Sequence, residues 1–227
     1  MKRPDITEQE TIESLGPYFF IQRKAGHRLT SDTVALAEFA AQSLSENDTL
    51  IDLGTATGAL PLLFSCKTEL TSITGVEVDD EAAQTAARNV DVNGLADRVS
   101  IIKADYRNLT GMYPEGAFTA VVSNPPYTKA GSGRLSPLMQ RAIARSEVLG
   151  GLPDLIKVSK HLAGEAGKIF YVFPVSRLAE MLAESQKCGL NVRRLRFINA
   201  GKGKEPGIFL IELGRQGGLE IEAPLSI

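Results

Sequence analysis

A doubly wound, Rossmann-like α/β fold is what this sequence predicts, with a mostly parallel sheet of about seven strands and a C-terminal antiparallel hairpin. Three observations carry the expectation. From residue 49 onward, short apolar segments of strand length alternate with helical segments across short links, the pattern of parallel strands joined by crossover helices. A glycine-rich turn, Gly54-Thr55-Ala56-Thr57-Gly58, separates the first of these strands from its helix. The last two strand segments, 191–197 and 208–213, have no room for a long helix between them and so form a hairpin.

The elements follow in order. Residues 1–17 are polar and read as loose at their start, and 18–22 reads as a short strand. Thr30-Ser31-Asp32 precedes apolar residues at helical spacing over 34–40, a capped helix start. These 48 residues are expected to form an N-terminal extension, and 49–227 the main domain. Within it, 49–52 is a buried strand and 58–64 begins a helix. The segment 72–78 is the next strand, and 79–92 a helix stopped by Asn93-Gly94. Strands are expected at 99–103, 118–123 and 168–173, with helices at 152–162 and 176–188.

Composition narrows the function. Of 227 residues, 43% are hydrophobic and 23% charged, which excludes a mostly disordered chain. The formal net charge of −2 means that any nucleic-acid contact comes from a local basic patch. Cys66 and Cys188, like His27 and His161, lie far apart and match no metal spacing, so no metal is expected. No stretch approaches the roughly 20 apolar residues of a membrane span, and no signal peptide is visible; the expected location is the cytoplasm.

Four constellations carry chemistry. Asp52-Leu53-Gly54-Thr55-Ala56-Thr57-Gly58 lies at the first strand-to-helix turn, where a glycine-rich backbone lets a ligand approach closely. A dinucleotide turn needs G-x-G-x-x-G/A, which Ala56 breaks at its second position; the S-adenosylmethionine (SAM) pattern D-x-G-x-G-x-G is met by Asp52, Gly54 and Gly58, with Ala56 at the middle glycine. Glu77 ends the second strand, where an acid accepts from both ribose hydroxyls of either cofactor, and where a merely solvated charge reads the same way. Asp105, past the third strand, suits an adenine amine, although Asp is common in turns. Asn124-Pro125-Pro126-Tyr127 follows an apolar strand. Its two prolines fix two φ angles, so that the Asn carboxamide and a neighbouring carbonyl can accept both protons of one amino group while Tyr127 stacks on a planar substrate.

In this order, Asp52 to Gly58, Glu77, Asp105 and Asn124-Pro125-Pro126-Tyr127 resemble SAM-dependent amino-group methyltransferases. The wider chain resembles the bacterial tRNA(Val) adenine-N6 methyltransferases, from about Phe19 to Pro224-Leu225-Ser226-Ile227. It shares Gly26-His27-Arg28-Leu29-Thr30-Ser31-Asp32, Ala144-Arg145-Ser146-Glu147 and Arg194-Leu195-Arg196-Phe197. The resemblance implies SAM as cofactor, held by Asp52, Gly54, Thr55, Thr57, Gly58, Glu77, Asp105, Asn124 and Thr30, although helix capping explains Thr30 equally well. It implies adenine N6 in RNA, a tRNA, as substrate, with Asn124, Pro125, Pro126 and Tyr127 catalytic. Lys129, Arg134, Arg194, Arg196, Lys202 and Lys204 are the candidates for phosphate contact, or else a solvated face. Two positions depart from the family: Ala56, which a methyl group tolerates if the backbone stays out of the left-handed region, and Ser146, where relatives often carry His. Two other readings remain: a protein-glutamine N5 methyltransferase and a non-catalytic RNA-binding module.

Overall fold

Aliphatic runs set the strands, and their parallel register sets where the chain can bind a ligand. The computed structural model describes residues 3–24, 28–125, 151–201 and 203–226. The chain divides into two compact units, Met1–Tyr106 and Arg107–Ile227.

The first unit opens with a hairpin, β1 (Glu10–Leu15) and β2 (Tyr18–Arg23), paired from Glu10↔Arg23 to Leu15↔Tyr18. Residues 3–9 form no regular element, but the polar stretch 1–17 also holds a strand, β1, that its sequence did not announce. The reason is that β1 buries the charged Glu10 at one end and Leu15 at the other, with no aliphatic run between: Arg88 Nη1 donates to Glu10 Oε1 at 2.6 Å. Burial alone would raise the Glu10 pKa, but hydrogen bonds from Arg88 and Thr7 outweigh it and hold the carboxyl below its usual range. Helix α1 spans Ser31–Ala41, β3 Thr49–Leu53, α2 Ala59–Lys67, β4 Ser72–Glu77, α3 Asp80–Val92 and β5 Val99–Lys103.

Strands β3, β4 and β5 are parallel, with Thr49↔Ser72 to Leu53↔Val76 and Ile73↔Val99 to Glu77↔Lys103. Their carboxyl ends therefore share one edge. Leu50, Ile51, Leu53, Ile73 and Val76 are buried in this sheet, and Leu36, Phe39 and Phe64 on its helices. Two polar devices finish the helices. Asp79 Oδ1 accepts from Ala82 N–H at 3.1 Å and caps α3. Arg98 donates to the carbonyls of Leu70, Thr68 and Ser65, at 2.9, 3.0 and 3.2 Å, satisfying backbone groups around the end of α2.

The second unit comprises α4 (Leu109–Met112), β6 (Ala120–Ser123), α5 (Gly151–Ala163), β7 (Lys168–Pro174), α6 (Leu178–Lys187), β8 (Asn191–Asn199) and β9 (Pro206–Gly214), followed by the two-residue strands β10 (Glu220–Ile221) and β11 (Leu225–Ser226). Strand β6 runs parallel to β7, β7 antiparallel to β9, and β8 antiparallel to β9. The fold class is as expected: α/β, mostly parallel, with the C-terminal hairpin in place. Helix α6 starts two residues later than expected because Val175–Arg177 forms a tighter 3₁₀ turn. The strands β10 and β11, both paired in parallel with β8, were too short to read from periodicity.

Candidate functional site

The glycine turn after β3 is built by backbone hydrogen bonds from two sides. Gly54 N–H and Thr55 N–H both donate to Val76 O at 2.9 Å, which docks the turn on the end of β4. Gly54 and Gly58 have φ of +80° and +84°, the left-handed region open to glycine at little cost. Ala56 also lies there, at +50°, the one non-glycine residue with positive φ among the described residues. The condition for tolerating Ala56 in place of glycine is thus not met, and a penalty of about 1 kcal/mol is stored in the turn. Its N–H donates to Glu77 Oε2 at 2.9 Å, which holds the strained residue in place. The other Glu77 oxygen accepts from Val78 N–H at 2.9 Å and Asp79 N–H at 2.8 Å. Three donors leave part of this carboxylate's four-site acceptor capacity free.

Asp52 lies behind the turn, 1% exposed, and neither of its carboxyl oxygens has a hydrogen-bond partner among the described residues. Burial pushes its pKa up to about 7; the neighbouring Thr55 hydroxyl offsets part of the rise without closing a bond of ordinary geometry, and the charge of Glu77 adds to it. A buried acid with unused acceptors, beside a second acid, suits a ligand that brings positive charge and hydroxyl donors. A pyrophosphate would meet two carboxyl groups, so the arrangement disfavours a dinucleotide.

Asp105 is half-buried just past β5, beside the end of β4: Ala104 N–H donates to Glu77 O at 2.9 Å. Thr30 occupies the N-cap position of α1, but its side chain makes no cap bond and lies 3.4 Å from the Thr33 hydroxyl. Gln22 Oε1 accepts from Leu29 N–H at 2.7 Å and so anchors the segment leading to Thr30. In the second unit, Asn124 and Pro125 follow β6 and are half-buried. Pro126, Tyr127, Lys129, Arg134 and Lys202, and the segment 144–147, lie outside the described residues.

The basic stretch in β8 has internal partners. Arg194 Nη1 donates to Glu212 Oε2 at 3.1 Å and its Nη2 to Glu222 Oε1 at 2.5 Å; Glu212, directly opposite on β9, is 2% exposed. Arg196 Nε donates to Ala223 O at 3.1 Å, and its Nη1 lies 3.4 Å from Glu222 Oε2. The shared Glu222 agrees with the expected common face of the two arginines. Lys204 is exposed in the loop between β8 and β9. Through the registers Ser123↔Tyr171, Pro174↔Ile208 and Ile198↔Ile208, that loop lies at the same sheet edge as Asn124.

Two contributors escaped the sequence reading. Asn89 is fully buried in α3 and bonds to both β2 and the turn. Its signal was a poor helix former in mid-helix, which asks for a local or tertiary partner. Gly75 is the other: a Cβ there would stand 3.0 Å from Thr55 Cγ2 and 2.8 Å from Ile101 Cδ1, so the glycine makes room for Thr55.

Residues 29–150 match the family model of the methyltransferase small domain. The chain is 28% identical over 189 residues to a tRNA1(Val) (adenine(37)-N6)-methyltransferase of Porphyromonas gingivalis, covering 82% of this chain and 73% of the relative. A protein of the same name from Vibrio vulnificus is 28% identical over 203 residues, covering 89% of this chain and 82% of the relative. Among solved structures, M. jannaschii TYW2 in complex with AdoMet aligns with a TM-score of 0.60 at 15% identity, covering 95% of this chain and 90% of that one. No helix of the described residues is long and apolar enough to cross a membrane.

Two predictions follow from these geometries. The Asp52 carboxyl titrates near 7 when folded and near 4 when unfolded, so the unfolded chain binds fewer protons between those values. Its contribution to ligand-free stability therefore falls as pH rises from about 4 to about 7, by up to about 4 kcal/mol, and is level above that. Urea unfolding of the unsubstituted protein and of Asp52→Asn across this range should diverge accordingly; parallel curves would refute it. Arg194→Ala removes the closer of two guanidinium partners of the buried Glu212, leaving Arg193 Nε at 3.6 Å, and should cost about 1–3 kcal/mol in the same measurement. A loss below about 0.5 kcal/mol would return Arg194 to the surface class.

Proposed function

We propose, from the premise that the chain belongs to the methyltransferase small domain family, that it transfers a methyl group from SAM to N6 of an adenine in tRNA. The observation that carries the cofactor is the carboxyl pair at the glycine turn, Asp52 with its unused acceptors and Glu77 with spare capacity. The names of relatives that align over more than four fifths of the chain support the substrate. The cytoplasm, where tRNA is, is the proposed place of action.

Bound SAM supplies a methyl group made electrophilic by its sulfonium. The protein supplies position. Gly54, Thr55, Thr57 and Gly58 line the cofactor's amino-acid side, where Thr30 is a further candidate. The free acceptor capacity of Glu77 takes the ribose hydroxyls, and Asp105 takes the adenine amine. The target adenine amine is a poor nucleophile because its lone pair is conjugated with the ring. The Asn124 carboxamide oxygen and the Pro125 carbonyl accept its two protons and leave the lone pair available for in-line attack. Pro126 stiffens that arrangement and Tyr127 stacks on the base. The proton becomes acidic only once nitrogen has gained the methyl group, so no strong base is needed.

Incubation with labelled SAM and, separately, total tRNA, DNA and protein tests the reading. N6-methyladenosine in tRNA is the expected product; label on a glutamine side chain would overturn the substrate. Asn124→Ala should lower turnover by about 10²-fold or more with SAM affinity intact, and near-normal turnover would exclude the role given to Asn124. Glu77→Ala should weaken SAM by about 1.5–3 kcal/mol in calorimetry and also lower ligand-free stability, because three backbone donors lose their acceptor. An unchanged dissociation constant would remove Glu77 from the ribose.

A further inference from the structure

Two asparagines four residues apart, Asn89 in α3 and Asn93 at its C-cap, bond to the same edge of β2. Asn93 Oδ1 accepts from Phe19 N–H at 2.9 Å, and its Nδ2 donates to Phe19 O at 2.7 Å. Asn89 repeats the arrangement on Ile21, at 2.8 and 2.9 Å. Phe19 and Ile21 are two apart in a strand and so present their backbone groups on one side. The i, i+4 spacing of the asparagines matches that repeat, and α3 serves as a side-chain ladder for a strand edge that would otherwise need another strand.

The two asparagines differ in one respect. Asn93 Nδ2 has Asn89 O as its further acceptor, at 2.7 Å, within the helix. Asn89 Nδ2 instead donates to Thr57 O, at 2.9 Å, inside the glycine turn. Both Asn89 amide hydrogens and one oxygen lone pair are therefore engaged, in a side chain with no exposed surface. Few rotamers satisfy three partners on two elements, so the carboxamide fixes the distance between Ile21 and Thr57.

We propose that Asn89 is a positioning residue for the cofactor: it locks the Thr57 end of the turn to the N-terminal hairpin, so that the hairpin belongs to the SAM site. The proposal rests on the reading that residues 54–58 hold SAM. Glu77 steadies the turn from the β4 side through Ala56, and Asn89 from the β2 side through Thr57. Coupling between sites is reciprocal, so SAM in the turn should also steady the hairpin.

Asn93→Ala is the control, since it loses comparable bonds to β2 and none to the turn. Both Asn89→Ala and Asn93→Ala should lower the melting temperature of the full chain. Only Asn89→Ala should raise the SAM dissociation constant, by about tenfold, and KM for SAM alike, with KM for RNA unchanged. Equal effects of the two variants on SAM would mean a purely structural role and overturn the proposal. So would an unchanged constant in Asn89→Ala beside a weakened Glu77→Ala; if neither variant moves it, the assignment of the turn to SAM fails as well. Should Asn89→Ala not fold, amide exchange in the unsubstituted protein decides. Saturating SAM should slow exchange at Ile21 N–H, which Asn89 holds, more than at Phe19 N–H, which Asn93 holds. Equal or absent slowing would overturn the proposal.

Discussion

The Glu77 carboxylate is the junction on which the cofactor half of the molecule depends. One oxygen holds Ala56 in the turn; the other holds Val78 and Asp79, where the chain leaves β4 and caps α3. Three elements therefore share one side chain. Each bond is charge-assisted, and those from Ala56 and Asp79 are part-buried while that from Val78 is exposed. That explains how a left-handed alanine persists: about 1 kcal/mol of backbone strain is offset by a bond that only this conformation makes.

Asp52 is the opposite case. It is buried with no hydrogen-bond partner among the described residues, and burial pushes its pKa up to about 7. A carboxyl in that state is costly to fold around and ready for a ligand that completes it. The two acids thus divide the work: Glu77 builds the turn, and Asp52 stores an unmet demand beside it.

Most strands and long helices were legible in the sequence from apolar runs and helical spacing, helped in α3 by a cap: 99–103 coincides with β5, and 79–92 with Asp79 and α3. The turn was legible because glycine is the only residue that takes its φ cheaply. What was hidden depended on partners distant in sequence. Strand β1 carries a buried Glu10 whose distant partner is Arg88. Asn89 looks like a weak helix residue until Ile21 and Thr57 are set beside it. Arg194 and Arg196 formed the densest basic run, and the sequence did not show that Glu212 and Glu222 return to meet them, 18 and 28 residues after Arg194.

That last pairing bears on the proposed function, in which a chain of net charge −2 meets a polyanion. A guanidinium already shared between two carboxylates has little left for a phosphate, and freeing it would expose a buried acid to its cost. Of the basic residues expected to meet phosphate, Lys204 is the exposed one among the described residues. Lys204 and Asn124 share a sheet edge by register, so the exposed lysine lies on the side of the sheet to which the proposed function brings the amine. With 25 basic and 27 acidic residues in the chain, a local cluster of cations, rather than net charge, is what could orient a polyanion at such an edge.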